Sequence, residues 1–384
     1  MTIADETILF ESPDPAGIYC YSPGLCHGFN GRIVASIDLG GPGTAALPGR
    51  RSTSGDAVSG NQLRIFFSDD KGKSWSRSES TPPMLHENLF KAGNALYLLG
   101  HSGRLVISRS DDNGVTWSDP ATLEDKHRWQ DGVGRIDFCH ARIYASYGRS
   151  FEAGPWSMPI VLSAPEESDL TRRENWRFSD PFDPRPILEA ARASGIPSCI
   201  HPGVIEANLV RIHDPKHEFY DPQMRTLMIL MRTAAERVSP VSGNIAGLLR
   251  CVEKPDGKLV IERVVNRDGF RLFYLPWPGG GLKFYLDYDR ESGLYWMVAS
   301  DIDGTGSPRR KLGLYYSQDL FNWANAGMVA AGPTDNAARN YATLLIDGED
   351  ILILSRSGDL RAKSDHDNNL ATFHRVRNFR QLAH

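Results

Sequence analysis

Two eight-residue stretches, Ser68-Asp69-Asp70-Lys71-Gly72-Lys73-Ser74-Trp75 and Ser110-Asp111-Asp112-Asn113-Gly114-Val115-Thr116-Trp117, begin 42 residues apart and coincide in the form S-x-D-x-G-x-x-W. Each follows a short apolar run, Leu63-Arg64-Ile65-Phe66-Phe67 and Leu105-Val106-Ile107. Each therefore reads as the turn between one strand and a second that starts near the tryptophan. The residue types suit that turn: Asp accepts hydrogen bonds from nearby backbone N–H groups, Gly supplies positive φ, and Trp buries a large ring beside the hairpin. The motif is a folding device first, and its return at a spacing suited to a four-stranded unit restricts the chain to a repeated array of small β-sheets.

The motif resembles the Asp-box of the sialidase superfamily. The resemblance implies an all-β fold, a six-bladed β-propeller of four-stranded antiparallel blades, and further boxes. Ser317-Gln318-Asp319-Leu320-Phe321-Asn322-Trp323 keeps Ser, Asp and Trp but not the turn glycine, and Ser163 through Asp169 to Trp176 reads as a fourth box lengthened by insertion. The 384 residues form a single domain in this reading, with six units of about 64 residues, enough for four strands and loops each. Strands are expected almost throughout, among them Thr7–Phe10, Arg32–Ile37, Ala95–Leu99, Asn208–Ile212, Thr226–Met231 and Ile351–Ser355. One short helix is expected over Pro186–Ser194, which opens on Pro, is rich in Ala and ends before Gly195. Thr372–Val376 is expected to pair with the N-terminal strand and close the ring, removing exposed sheet edges.

A formal charge of −4 leaves no basic footprint, so nucleic acid is not an expected partner. No apolar run approaches the roughly 20 residues that span a bilayer, and the first residues lack the basic and apolar regions of a signal peptide, so no membrane partner and a cytoplasmic location are expected. Cys20, Cys26, Cys139, Cys199 and Cys251 are scattered and read as reduced thiols. There is no H-E-x-x-H, clustered Cys/His pair or EF-hand loop; Asp287, Asp289, Asp301 and Asp303 read as strand ends and turns, and no metal or cofactor is expected. A monomer or small homo-oligomer is expected.

Propellers host many chemistries, so function is argued from a site. The resemblance implies arginines that grip a substrate carboxylate, a Tyr nucleophile activated by a Glu, and an Asp acid/base. A neutral phenol beside a glutamate delivers charge only as the bond forms, which suits a sugar whose own carboxylate would repel a carboxylate nucleophile. Glu206, ahead of Ala207-Asn208-Leu209-Val210, is similar to the glutamate, and Arg232, ending Leu227-Met228-Ile229-Leu230-Met231, to the arginine that follows it. Tyr341 resembles the nucleophile, with Arg356 about one hairpin later. Asp38, ending Arg32-Ile33-Val34-Ala35-Ser36-Ile37, is similar to the acid/base, and Asp56 in a polar loop competes for that role.

One departure stands out. Where the family carries an Arg-x-Pro segment, this chain has Tyr21-Ser22-Pro23-Gly24. A Tyr hydroxyl cannot supply the bidentate charged fork of a guanidinium, so the pocket holds two arginines unless Arg32 compensates. His86, His127, His201 and Lys283 complete the candidates for a carbohydrate site. Three functions remain open: a retaining exo-glycosidase releasing a sialic-acid-like or other acidic sugar; a polysaccharide lyase or other glycosidase acting on a uronate-containing glycan, with His or Tyr as base and Lys283 or Arg232 stabilising an enolate; and a non-catalytic carbohydrate-binding propeller.

Overall fold

The computed structural model describes residues 2–52, 60–129, 132, 134–151, 157–195, 204–233 and 242–383. Within them the chain forms six antiparallel sheets of four or more strands and a short two-stranded hairpin, Val264–Val265 with Arg271–Leu272. The innermost strands are, blade by blade, Tyr19–His27, Leu85–Ala92, Asp137–Cys139, Ile205–Val210, Phe284–Asp289 and Arg339–Asp347. Each blade then steps outward in sequence order, as in the first: Tyr19–His27, Ile33–Gly40, Gln62–Ser68 and Ser76–Arg77. The sixth blade is completed by the chain start. Ala4–Glu11 pairs antiparallel with Leu370–Val376, from Ala4 opposite Val376 to Glu11 opposite Leu370, which is the closure the sequence indicated. The one α-helix among the described residues, Arg185–Ala193, lies where it was expected, with Pro186 in its first turn.

Six hydrophobic clusters hold the blades together, and each lies between two neighbours. Leu39 and Phe66 of the first blade pack with Leu354 and Phe373 of the sixth, while Val34 and Ile65 pack with Leu96 and Leu98 of the second. A blade is thus covered on both faces, so its inner strands are buried along their length instead of alternating between core and solvent. Ile33–Gly40 and Ala95–His101 are buried at every position. Polar residues inside such strands, Ser36, Asp38 and His101, therefore need local reasons.

The boxes sit at the lower face, where the third strand of a blade turns into the fourth. In the first, Ser68 Oγ donates to Asp70 Oδ1 (2.8 Å) and accepts from Gly72 N–H (2.7 Å), while Ser74 donates to both Asp70 oxygens. The second repeats this arrangement with Ser110, Asp112, Gly114 and Thr116. In the third, the interval from Ser317 to Trp323 is one residue shorter, so the glycine is deleted. Leu320 alone takes positive φ (71°), where Lys71 and Gly72 share the turn in the first box, and Asn322 supplies the bonds to Asp319 that Ser74 supplies to Asp70. At the expected fourth box, Asp169 caps Thr171, and Trp176 donates to the Leu170 carbonyl.

Gly72 shows why the turn needs glycine. It has φ 83°, and a Cβ there would lie 2.6 Å from the Phe373 ring of the sixth blade. Gly72→Ala is expected to destabilise the fold by about 2–4 kcal/mol, combining left-handed strain with a clash in the seam. Gly348→Ala, at φ 61° with open space around it, is expected to cost only the strain, about 1–2 kcal/mol. Denaturant midpoints of the two variants measure the difference.

Candidate active site

Four inner strands lose pairing register at the same level near the upper face: between Tyr21 and Gly24, Leu85 and Asn88, Ile205 and Asn208, and Asn340 and Thr343. Each irregularity contains a non-glycine residue with positive φ: Ser22 (42°), His86 (53°), Glu206 (61°) and Tyr341 (53°). A bulge re-aims a side chain, and left-handed backbone at Ser, His, Glu and Tyr costs roughly 1–3 kcal/mol each unless the surroundings impose it. The propeller spends this strain where its blades converge. Two of the four residues, from opposite parts of the sequence, meet there: the Tyr341 hydroxyl donates to Glu206 Oε1.

The Tyr–Glu pair lies among cations. Arg232 Nη1 stands 3.2 Å and 3.3 Å from the two Glu206 oxygens. Arg356 lies over the Tyr341 ring at 4.2 Å and over the Tyr21 ring at 4.5 Å, while its Nη1 donates to the His366 carbonyl. Lys283 Nζ is 5.6 Å from the Tyr341 ring centre. Burial opposes charge on Glu206, but Arg232 and Lys283 hold its carboxyl below the usual range. Burial and the Glu206 charge push the Tyr341 phenol well up, against the pull of Arg356 and Arg232. The pair is therefore a protonated phenol donating to a carboxylate, the state from which a phenolate forms only as its proton leaves. Gly132 closes one side; a Cβ there would lie 2.8 Å from both Glu206 Cγ and the Tyr341 hydroxyl.

Tyr341, Glu206, Arg232, Arg356, Lys283 and Tyr21 thus come together as the sequence suggested. Tyr21 is tied down by a bond to Asp367 (2.7 Å), which also bonds His366. Arg32 does not join them. It lies one residue ahead of the second strand of the first blade, at the lower face, where it pairs with Asp69 at 2.7 Å and stacks on Phe67, so it does not replace the absent first arginine. His86 is at the site's level on the second blade, bonded through Nδ1 to His101 Nε2 (3.1 Å). Asp38 is buried beneath the floor, where Oδ2 accepts the His86 N–H at 2.8 Å and burial lifts its pKa to about 7. His127 pairs with Glu124 away from this group. Asp56 and His201 lie outside the described residues.

Arg309 was missed. It stands in Ser307-Pro308-Arg309-Arg310-Lys311, a basic run that reads as a solvated loop. Arg310 and Lys311 do pair outward, with Asp335 and Asp303. Arg309 turns in towards Asn340 Oδ1 (3.5 Å), and burial beside Arg232 and Arg356 lowers its pKa to about 10. Among the described residues no group of three or more His, Cys, Asp or Glu is arranged to hold a metal ion. Asp287, Asp289 and Asp303 pair with Arg135, Arg380 and Lys311, and Asp301 accepts from Tyr315.

No family model matches the chain, and no curated protein matches it by sequence. Solved structures do match in fold. A protein of unknown function from Dyadobacter fermentans is 12% identical over 97% of this chain and 99% of its own, with a TM-score of 0.59. The Penicillium chrysogenum alpha-L-arabinanase complexed with arabinobiose is 12% identical over 98% of each chain, with a TM-score of 0.55. The Trypanosoma rangeli sialidase in complex with 2,3-difluorosialic acid, a covalent intermediate, is 11% identical over 99% of this chain and 60% of its own, with a TM-score of 0.59. The chain has the β-propeller fold that these sialidase and arabinanase structures share.

Proposed function

We propose that the chain is a retaining, exo-acting glycoside hydrolase that releases an anionic terminal sugar. The observation that carries this reading is the Tyr341–Glu206 contact within a ring of four cations, Arg232, Lys283, Arg309 and Arg356. Tyr341 Oη attacks the anomeric carbon as its proton passes to Glu206; the bond to the leaving oxygen breaks as that oxygen takes a proton from an acid. Water then releases the sugar by the reverse path, with net retention. Glu206 is the carboxylate bonded to Arg232 in this group, and neither Arg309 nor Arg356 has a carboxylate bonded to it among the described residues, their acidic neighbours Asp365, Asp367 and Asp38 acting on them only through space. Such a surplus of charge favours a carboxylate-bearing sugar over a neutral one. Tyr21 in place of an arginine argues for an acidic sugar held by a different set of contacts from those that grip sialic acid.

The test is a screen of the purified protein against uronides, sialosides, arabinosides and acidic polysaccharides, recording both reducing ends and the absorbance of unsaturated products. Free acidic sugar without new absorbance supports the proposal. An unsaturated product transfers it to a lyase, and cleavage of arabinosides alone removes the argument from charge.

Asp38 and Asp56 compete as acid. Asp38 has a pKa near 7, which leaves it a proton at neutral pH, but its side chain is fully buried and would need the floor to open before it met a leaving group; Asp56 lies outside the described residues. The acid's Asn variant is expected to lose about 10²–10⁴-fold in kcat/KM on substrates with poor leaving groups and much less on aryl glycosides with good ones. Comparing Asp38→Asn with Asp56→Asn assigns the role to whichever variant shows that leaving-group dependence.

A further inference from the structure

Below the Ser22 and His86 bulges lie two adjacent carboxyl groups, of which the hydrolytic scheme uses at most one. Asp38 and Glu87 both have 0% exposure. Asp38 is on the second strand of the first blade, two residues after Ser36 and so on the same face; Glu87 follows His86 on the inner strand of the second blade. Glu87 faces both Asp38 and the Ser36 hydroxyl, and the Ser22 hydroxyl faces Asp38. Asp38 Oδ2 accepts the His86 N–H, whereas Asp38 Oδ1 and both Glu87 oxygens lack a fully formed hydrogen bond. One carboxyl thus touches the bulges of two neighbouring blades, and a second backs it.

We propose that Glu87 is a positioning residue for the reaction, acting through Asp38 to hold the Ser22 and His86 bulges beneath Tyr21 and Arg356. The proposal rests on the hydrolytic reading of the bowl above it. Two adjacent buried carboxyls do not both carry charge, so the pair keeps a proton, which a Glu87 side chain turned towards Asp38 would share with it. Burial raises both pKa values, and the Asp38 charge raises that of Glu87 further. The other groups facing the pair are Arg356 of the sixth blade, which favours the charged form of Asp38, the His86–His101 pair, and Tyr21 opposite Asp38 in register.

The sign of the pH effect follows. In the unfolded chain both groups titrate near pH 4, so the folded protein retains protons that the unfolded one has lost. The stability from these protons is complete below about pH 4; the Asp38 share is lost as pH rises through about 7, and the Glu87 share as pH rises through that group's own raised pKa. Removing the Glu87 proton site should flatten that loss.

The experiment compares wild type, Glu87→Gln and Glu87→Leu in three measurements: Tm from pH 5 to pH 8, hydrogen exchange of the peptide containing the His86 amide, and kcat/KM against pH on any glycoside that is cleaved. Glu87→Gln, which can still donate to Asp38, is expected to keep exchange and kcat/KM within about threefold of wild type while its Tm falls less with rising pH. Glu87→Leu is expected to exchange the His86 amide at least about tenfold faster and to lose about 10- to 100-fold in kcat/KM. Unchanged His86 protection in folded Glu87→Leu, or a Tm–pH profile of Glu87→Gln that overlays wild type, would overturn the proposal. Exchange and Tm need no substrate; wild type inactive on every glycoside refutes the hydrolytic reading alone, while those two still decide whether the pair holds the bulges.

Discussion

Tyr341→Phe is expected to lower kcat/KM by about 10³-fold or more, with Tm within a few degrees of wild type. The substitution removes one oxygen. The ring that lies under Arg356 at 4.2 Å remains, and Glu206 keeps its contacts with Arg232. What is lost is the atom that would bond to the anomeric carbon and pass its proton to Glu206. Residual activity would come from water attacking directly in the same charged pocket, and its product would have inverted configuration. Turnover within about tenfold of wild type would show that the phenol is a binding group, because loss of a nucleophile costs orders of magnitude more than loss of one hydrogen bond.

The second large effect is expected from Glu206→Gln. It should lower kcat/KM by about 10²–10⁴-fold, since an amide cannot take the phenol proton. Unlike Tyr341→Phe, it should also destabilise the protein. Glu206 is 2% exposed and bonded to Arg232, with Lys283 lowering its pKa, so its removal leaves buried positive charge uncompensated, at a cost of about 3–5 kcal/mol. The pH dependence has a definite sign. The folded-state pKa of Glu206 lies below its ordinary value, so its contribution to stability is present above about pH 4 and is lost as pH falls through the depressed pKa. The gap in Tm between wild type and Glu206→Gln should therefore be widest near neutrality and narrow in acid. A gap that widens on acidification would mean that Glu206 is neutral in the folded protein and cannot be the base.

The two variants separate chemistry from architecture because the site's charge and its strain come from different parts of the molecule. Strain sits in the bulges, imposed by strands buried between neighbouring blades. The positive charge comes from the second strands that carry Arg232 and Arg356, from Lys283 just ahead of an inner strand, and from the loop carrying Arg309.

That division explains what the sequence disclosed. The repeat and the apolar strands gave the architecture because burial between blades leaves a strong local signature. Glu206, Tyr341, Arg232 and Arg356 were legible because each flanks or ends such a run. Arg309 was hidden: Arg309-Arg310-Lys311 has the composition of a solvated rim, and only the backbone path shows that its first member turns inward. The bulges were hidden for a related reason, since positive φ at Ser, His, Glu and Tyr runs against residue preference and is set by tertiary packing. Arg32 was open to better reasoning. The second strand of a blade runs from the lower to the upper face, so an arginine just ahead of it lies at the turn end, while Asp38 near its finish lies under the upper face.

Trapping a covalent Tyr341 intermediate decides whether the phenol is the nucleophile. The protein would be incubated with a fluorinated, activated glycoside of whichever acidic sugar it cleaves, then digested and mapped by peptide mass spectrometry. A stoichiometric adduct is expected on the peptide containing Tyr341 and none in Tyr341→Phe. An adduct on Glu206 or another carboxylate, or no adduct together with inverted product, would contradict it.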